Sequence, residues 1–426
     1  QLSGYLAVNY AWAENVSPTV QLFHDIAFKI GAGSLNGEVF DNFKGRLNIA
    51  LNSLGNYTLK GVVDKAMFSN HVLQDIKYDF NTSLDDGDEL RLQNLSLVAA
   101  KDLVDSLAVS KNIVAYFKDA MLGGLAYDLY FSGHNFTTNP VINVIRANIT
   151  GLKLASSHNY PGVDSLDIKL KYLDGLGEAI VHSSNENRYV SVTAPTIFKK
   201  ILKVKAQDTH IHFNRQADLK WQILVPHTVW DYKGNNILGS ISINNLGAEN
   251  ISFKGDFKAK NVDVLSLKEL LTVKPLNTKL RAWLMGSVTA GVLEDATLAI
   301  DLSDKNSFVF EGDFNNAALK FSGDWPELEN IRGKIYLDNS RLEVSADKAM
   351  MKTQMFDSIK VDIADLHQPT VAVAINSKIN MSKAKDIINF SPLHKTVGKY
   401  FHGSKVGGDA AMRLSFKLNH AMNFAP

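Results

Sequence analysis

Residues 324–346 read DWPELENIRGKIYLDNSRLEVSA, and this stretch decides the fold class. Between residues 331 and 346, apolar and polar side chains alternate in two runs. The runs are separated by Asn339 and Ser340, which favour turns. This pattern is typical of a β-hairpin with one apolar face and one hydrated face. Because an apolar face is not stable in water, either protein or another apolar material must cover it.

The composition narrows the functional classes. The chain has 426 residues, no cysteine and a formal net charge of +1. These values exclude disulfides and thiol chemistry, and they give no electrostatic reason to expect nucleic acid as a partner. The absence of cysteine suits an oxidising compartment. No apolar stretch approaches the length of a membrane span and no signal peptide is visible. The chain begins with Gln and its last strand pattern runs to the chain end, so we expect a piece of a longer protein, with any membrane anchor or targeting signal outside it.

Alternation of apolar and polar residues recurs along the chain, with turn residues between the runs and little helical pattern. Strands joined by short links predict antiparallel meanders rather than parallel units with crossover helices. The residues predicted to form the apolar side are Leu166, Ile168, Leu170, Leu219, Trp221, Ile223, Leu298, Ile300, Leu302, Ile335, Leu337, Leu342, Val344, Val371, Val373 and Ile375.

Three segments resemble one another, and they are residues 99–133, 266–303 and 382–419. Each begins with a lysine, an acidic residue and an aliphatic residue, continues with a second short helical pattern and glycine, and ends in a strand pattern. The lysines are Lys101, Lys268 and Lys385. Such a pattern predicts an array of stacked units. The predicted divisions are an N-terminal β segment (1–98), two repeat units (99–264 and 265–381) and the start of a further unit (382–426).

Three arrangements could cover the apolar face of the sheet. Strands lie about 4.8 Å apart, so a sheet of roughly thirty strands would be far too long for three short helical hairpins to cover. A second sheet could pack against it, which is the usual outcome for soluble chains, or the sheet could close into a barrel. The third solution is a curled sheet whose apolar side holds lipid acyl chains.

A set of short motifs carries a family resemblance between residues 260 and 420. In order, they include Leu280-Arg281-Ala282-Trp283-Leu284, Ala290-Gly291-Val292, Trp325-Pro326 with the hairpin after it, and Ser391-Pro392-Leu393. In this order the motifs resemble the AsmA-like periplasmic proteins, and among them the YhdP-like branch. The resemblance implies a mostly β fold, a long antiparallel sheet curled into an apolar groove with a few short helical hairpins. It favours the lipid-filled solution over a sandwich.

The same resemblance implies a periplasmic protein of a Gram-negative envelope, anchored in the inner membrane by a segment outside this chain. It implies phospholipids and the inner and outer membranes as partners, with phospholipid movement between the two membranes as the function. We therefore expect a non-enzymatic protein without cofactor or metal. His210 and His212 share one strand face, but no third metal ligand accompanies them. The alternatives are a scaffold for outer-membrane protein assembly and a stacked β-sandwich surface protein or adhesin.

Overall fold

The structure is a computed structural model. It describes residues 4–9, 20–35, 38–52, 56–68, 71–82, 87–100, 119–136, 141–156, 161–184, 189–193, 201–206, 208–216, 220–246, 251–268, 278–303, 307–367, 370–401 and 403–418. The chain forms two compact units. The first comprises residues 1–193, 205–228 and 243–251, and the second comprises residues 194–204, 229–242 and 252–426.

Strands make up most of the first unit. They are β1 (Gly4–Asn9), β2 (Val20–Leu35), β3 (Glu38–Asn52), β4 (Tyr57–Phe68), β5 (His71–Asn81), β6 (Asp88–Gln93), β7 (Leu95–Ser96), β8 (Met121–His134), β9 (Val141–Leu154), β10 (Gly162–Leu173), β11 (Leu176–Ser183), β12 (Tyr189–Thr193) and β14 (Thr209–Arg215). One short helix, α1 (Leu97–Ala100), follows β7. Three strands contribute residues to both units, and they are β13 (Leu202–Ala206), β15 (Trp221–Tyr232) and β16 (Asn235–Leu246).

The second unit repeats the same construction. Its other strands are β17 (Ser252–Asp263), β18 (Val288–Asp301), β19 (Ser307–Leu319), β20 (Leu328–Asp338), β21 (Leu342–Met351), β22 (Gln354–Ile363), β23 (Val371–Asn380) and β24 (Asp409–Leu418). Its helices are α2 (Val264–Leu267), α3 (Thr278–Ser287), α4 (Met381–Asn389) and α5 (Gly398–Phe401), with a 3₁₀ turn at Pro392–Lys395 between the last two.

Tight turns join successive strands as the sequence predicts. Asp174 and Gly175 have φ values of 44° and 92° and connect β10 to β11. Lys233 and Gly234, at 54° and 82°, connect β15 to β16 in the same way. Two-residue loops with both φ values positive match the right-handed twist of the flanking strands. At the turn between β20 and β21, the Asp338 carboxylate accepts hydrogen bonds from the backbone N–H groups of Ser340 and Arg341, each at 2.7 Å.

The strand pairings that the structure describes are antiparallel, and the described strands belong to one hydrogen-bonded sheet. This confirms the mostly β, antiparallel fold class with a few short helices. In each unit the buried clusters join only strands that are neighbours in the sheet, together with at most one short helix. Among the described residues, no second sheet packs over the first, so the stacked-sandwich arrangement does not fit.

Equivalent strands of the two units carry β-bulges in the same order. In the first unit, Gly124, Gly151 and Ser165 have positive φ values in β8, β9 and β10. In the second unit, the corresponding residues are Gly291, Asn316 and Asn330 in β18, β19 and β20. The strand register shifts beside most of these residues. Because a bulge bends its strand and increases the local twist, a row of bulges bends the sheet.

Gly291 offers a direct test of this construction. Its φ is 149°, and a Cβ added there would lie 3.2 Å from Ala317 Cα and 3.3 Å from Val264 Cγ2 in α2. We expect Gly291→Ala to lower the free energy of unfolding by about 1–3 kcal/mol, because the side chain adds backbone strain and crowding. Urea denaturation measures the change. Gly323→Ala is the control, since nothing lies within 4 Å of that position, and equal effects of both substitutions would contradict the interpretation.

The repeated lysines have a structural role in the two segments where they are described. Lys268 Nζ donates to the carbonyl oxygens of Met285, at 2.9 Å, and of Val288. Lys385 Nζ donates to the carbonyl oxygen of Ser404 at 2.8 Å. Each lysine thus holds the chain that follows the second helical stretch, where helix carbonyls lack intrahelical partners. Partial burial lowers the pKa of Lys268. Lys101 lies outside the described residues.

Substitution of Lys268 tests whether the repeated lysine stabilises the fold through these hydrogen bonds. We expect Lys268→Met to reduce the free energy of unfolding by about 1–3 kcal/mol, because two carbonyls, one of them partly buried, lose a charged donor. Urea denaturation is again the measurement. Lys258→Met on β17 is the matched control, because that lysine is exposed and makes no ion pair with a described residue. A loss of stability as large in Lys258→Met as in Lys268→Met would refute the proposed role.

Candidate functional site

One face of the sheet in the first unit carries an unbroken apolar row that crosses the strands. Residues directly opposite each other in antiparallel pairs project to the same face, so the register defines the row. From β3 to β15 it contains Ile49, Leu59, Phe80, Leu90, Phe131, Ile145, Tyr172, Gly177, Phe213 and Ile223. We call these residues the first apolar row.

The one glycine in the first apolar row does not interrupt it. Phe213 packs over the backbone of Gly177, where an added Cβ would lie 2.2 Å from the Phe213 ring. Three aromatic rings then meet at this end of the row. The Tyr172 and Phe213 rings are stacked with centroids 6.5 Å apart, and Trp221 lies 6.0 Å and 5.8 Å from them. The result is a broad aromatic surface at the end of four neighbouring strands.

The second unit has an equivalent apolar face made of two parallel rows. The register of β18 to β23 places Leu298, Phe310, Leu337, Leu342, Ile363 and Val371 in one row. The register of β19 to β23 places Gly312, Ile335, Val344, Val361 and Val373 in the next. We call these residues the second apolar face. Leu337, Leu342 and Ile363 are buried at its centre, and its other large side chains are half-buried.

Charged side chains occupy the opposite face of the same strands. In the second unit, ion pairs link neighbouring strands, and they are Lys254–Asp301, Lys260–Asp295, Lys334–Asp313 and Arg341–Asp362. Exposed pairs of this kind each contribute little stability, about 0–1 kcal/mol. Their positions identify the hydrated face of the sheet, whereas the opposite face carries the apolar rows.

The strand register places most of the sequence-predicted residues on these apolar faces. Leu166, Ile168 and Leu170 on β10 lie opposite apolar partners on β9. Trp221 and Ile223 lie at the end of the first unit's row. Ile300 lies opposite Phe308, and Ile375 lies opposite Ile359. Whether these residues contact lipid stays a prediction.

Two of the predicted residues need separate mention. Leu219 lies outside the described residues. Leu302 follows the last residue of β18, where its amide donates to the Phe253 carbonyl oxygen, and the residue is 43% exposed.

Sequence reasoning missed several large members of these faces, among them Phe80, Phe131, Phe213 and Phe310. Phe310 packs against two buried clusters of the second unit. The alternation within residues 88–93 and 127–133 was a usable signal. It was insufficient because alternation along one strand does not reveal which residue lies opposite on the next.

The residues of the family motifs form local structural contacts. Trp283 Nε1 donates to the Phe321 carbonyl oxygen at 3.5 Å, and the Phe321 ring lies 5.8 Å from Trp325. Pro326 follows in the irregular segment before β20, and Gly291 forms the bulge in β18 described above. Leu284 lies in α3, but its side chain is outside the described part of the structure. The motif tryptophans thus connect α3 to the segment that leads into β20.

Metal sites and membrane-spanning helices were the other features to look for in the described residues. They contain no group of three or more His, Asp or Glu side chains arranged to hold a metal ion. His210 and His212 are exposed, and they lie opposite Ile180 and Glu178 on the charged face. None of the helices in the described ranges combines the length and apolar character that crossing a bilayer requires.

Comparison with known families agrees with the architecture. The model of the family described as YhdP protein matches residues 66–423, which is most of the chain. No curated protein and no solved structure matches it significantly. The chain belongs to the YhdP protein family.

Proposed function

We propose that this chain is part of a periplasmic, bridge-type lipid transfer protein that carries phospholipids between the inner and outer membranes without catalysis. The observation that supports the proposal best is the first apolar row. It runs across neighbouring strands without a charged residue. Membership of the family supports the location and the two membranes as partners.

The burial of these side chains suits a flexible apolar ligand. Most large members of the apolar faces are half-buried, since their strand neighbours cover their flanks while nothing in the described residues forms a second layer over them. Acyl chains gain roughly 0.8 kcal/mol for each methylene removed from water. Because this attraction is not directional, a chain that moves from one residue of a row to the next exchanges equivalent contacts and meets low barriers.

The charged face of the sheet also supports the proposal, because it leaves only one face for acyl chains. Lipid head groups need water or polar partners, whereas the tails need an apolar surface. A sheet with ion pairs on one face and apolar rows on the other offers a surface to tails on one side only. The transport that we propose is therefore passive, with tails on the apolar face and head groups at its margin.

Val373→Asp tests the proposal on the second apolar face. An unpaired carboxylate there costs several kcal/mol to bring against acyl chains, so we expect at least about a tenfold loss of phospholipid transfer between donor and acceptor liposomes. Ala374→Asp is the matched control. It changes the next residue of β23, which points to the opposite face and lies opposite Lys360, so transfer should remain at the level of the unmodified chain.

Circular dichroism and urea denaturation establish that both variants keep the sheet. Val344→Asp, which lies in the same row as Val373, provides a second variant if Val373→Asp fails to fold. Undiminished transfer with a folded Asp at position 373 or 344 would contradict passage along the apolar face. Mass spectrometry of lipids extracted from the purified chain gives an independent check, since the proposal requires bound phospholipid.

A further inference from the structure

The first apolar row passes beside a polar pocket at the strand ends. The pocket has a volume of about 420 Å³ and is lined by Val141, Ile142, Asn143, Tyr172, Asp174, Gly175, Arg215 and Gln216. All of these residues belong to the first unit. Tyr172 is both a wall of the pocket and a member of the row. A ligand in the pocket would therefore be continuous with the apolar surface.

Backbone contacts of the strand ends hold the polar residues of the pocket in place. Asn143 and Asp174 are joined twice, because the Asp174 N–H donates to the Asn143 carbonyl oxygen at 2.9 Å and Asn143 Nδ2 donates to Asp174 Oδ1 at 3.0 Å. The Arg215 N–H donates to the Gly175 carbonyl oxygen at 2.7 Å. Arg215 is two residues beyond Phe213 on β14, so its side chain projects to the apolar face.

Two groups of the pocket are left without partners in the described part of the chain. Asn143 Oδ1 is buried and accepts no hydrogen bond, although buried acceptors are normally satisfied. Among the residues that the structure describes, no carboxylate forms an ion pair with the half-buried Arg215 guanidinium. The pocket residues thus include a buried acceptor without a donor and a cation without an anion.

The hydrogen-bond donors and acceptors of the pocket indicate which chemical groups a ligand must carry. Asp174 and Asn143 Oδ1 only accept hydrogen bonds, so a ligand must donate to them, and a primary ammonium group has three N–H donors. Arg215 only donates, and a guanidinium pairs well with phosphate oxygens. One cation and one carboxylate together complement a ligand that carries one charge of each sign.

We propose that this pocket binds the phosphoethanolamine head group of a phospholipid, with the ammonium at Asp174 and Asn143 and the phosphate at Arg215. The inference rests on the proposed lipid-transfer function, because the acyl chains would lie along the first apolar row. A phosphocholine head group has no N–H and leaves Asn143 Oδ1 unsatisfied. A phosphoglycerol head group can donate a hydroxyl but brings no positive charge to Asp174.

A competition experiment tests the site. The purified chain is incubated with liposomes that contain equal amounts of phosphatidylethanolamine, phosphatidylcholine and phosphatidylglycerol with identical acyl chains. It is then separated from them, and its bound lipids are quantified by mass spectrometry. We expect phosphatidylethanolamine to be enriched about tenfold over the other two, as one charge-assisted contact would provide.

Three variants separate the roles of the pocket residues. Asp174→Asn keeps the shape and tolerates the positive φ of the turn, and it should bring the ratio of phosphatidylethanolamine to phosphatidylcholine near one. Arg215→Gln should lower the retention of all three lipids severalfold, and Arg215→Lys should restore part of it. Arg146→Gln is the control, because Arg146 is an exposed arginine of β9 over the Tyr130 ring on the opposite face, and it should leave retention and ratio unchanged.

The outcomes distinguish this inference from the function on which it rests. Equal retention of the three lipids by the unmodified chain would overturn the head-group site and leave lipid transfer intact. The same conclusion follows if folded Asp174→Asn keeps the full preference. Failure to retain any phospholipid would overturn both proposals.

Discussion

Antiparallel register in a single layer of strands is the constraint on which the rest of this structure depends. Residues opposite each other project to the same face, so one apolar residue at the matching position of each strand produces a row that crosses the sheet. A shift of one residue in a strand would turn its row member to the opposite face. With no second layer among the described residues, the buried clusters form between side chains of neighbouring strands, and one of them lies at the centre of the second apolar face.

The features that keep this single layer in shape are the ones repeated in the sequence. Gly124 and Gly291 adopt backbone conformations that other residues avoid, and each places a bulge beside a short helix. Lys268 and Lys385 bind carbonyl oxygens that the short helical stretches leave without partners. These repeats therefore maintain the architecture, while the first apolar row varies in residue type from Gly177 to Phe213.

The polar pocket that Tyr172 helps to line borders the apolar surface of the first unit. Aliphatic and aromatic contacts attract any acyl chain and cannot discriminate among head groups. Asn143, Asp174 and Arg215 lie where four strand ends meet, and their hydrogen-bonding groups have direction. Under the proposed lipid transfer, such a place would supply selectivity among head groups without slowing movement elsewhere.

The sequence alone determined the strand pattern, the turns at Asp174-Gly175 and Lys233-Gly234, the repeated segments and the family resemblance. It did so because alternation, turn residues and short motifs are local signals. It also assigned Ile335, Leu337, Leu342 and Val344 to one face, since a two-residue turn fixes their register. Only the tertiary structure decided that Phe80, Phe131 and Phe213 continue a row and that Asn143 and Arg215 line the same pocket. Those neighbours come from strands distant in sequence, and pairing between such strands depends on bulges and register that no single strand encodes.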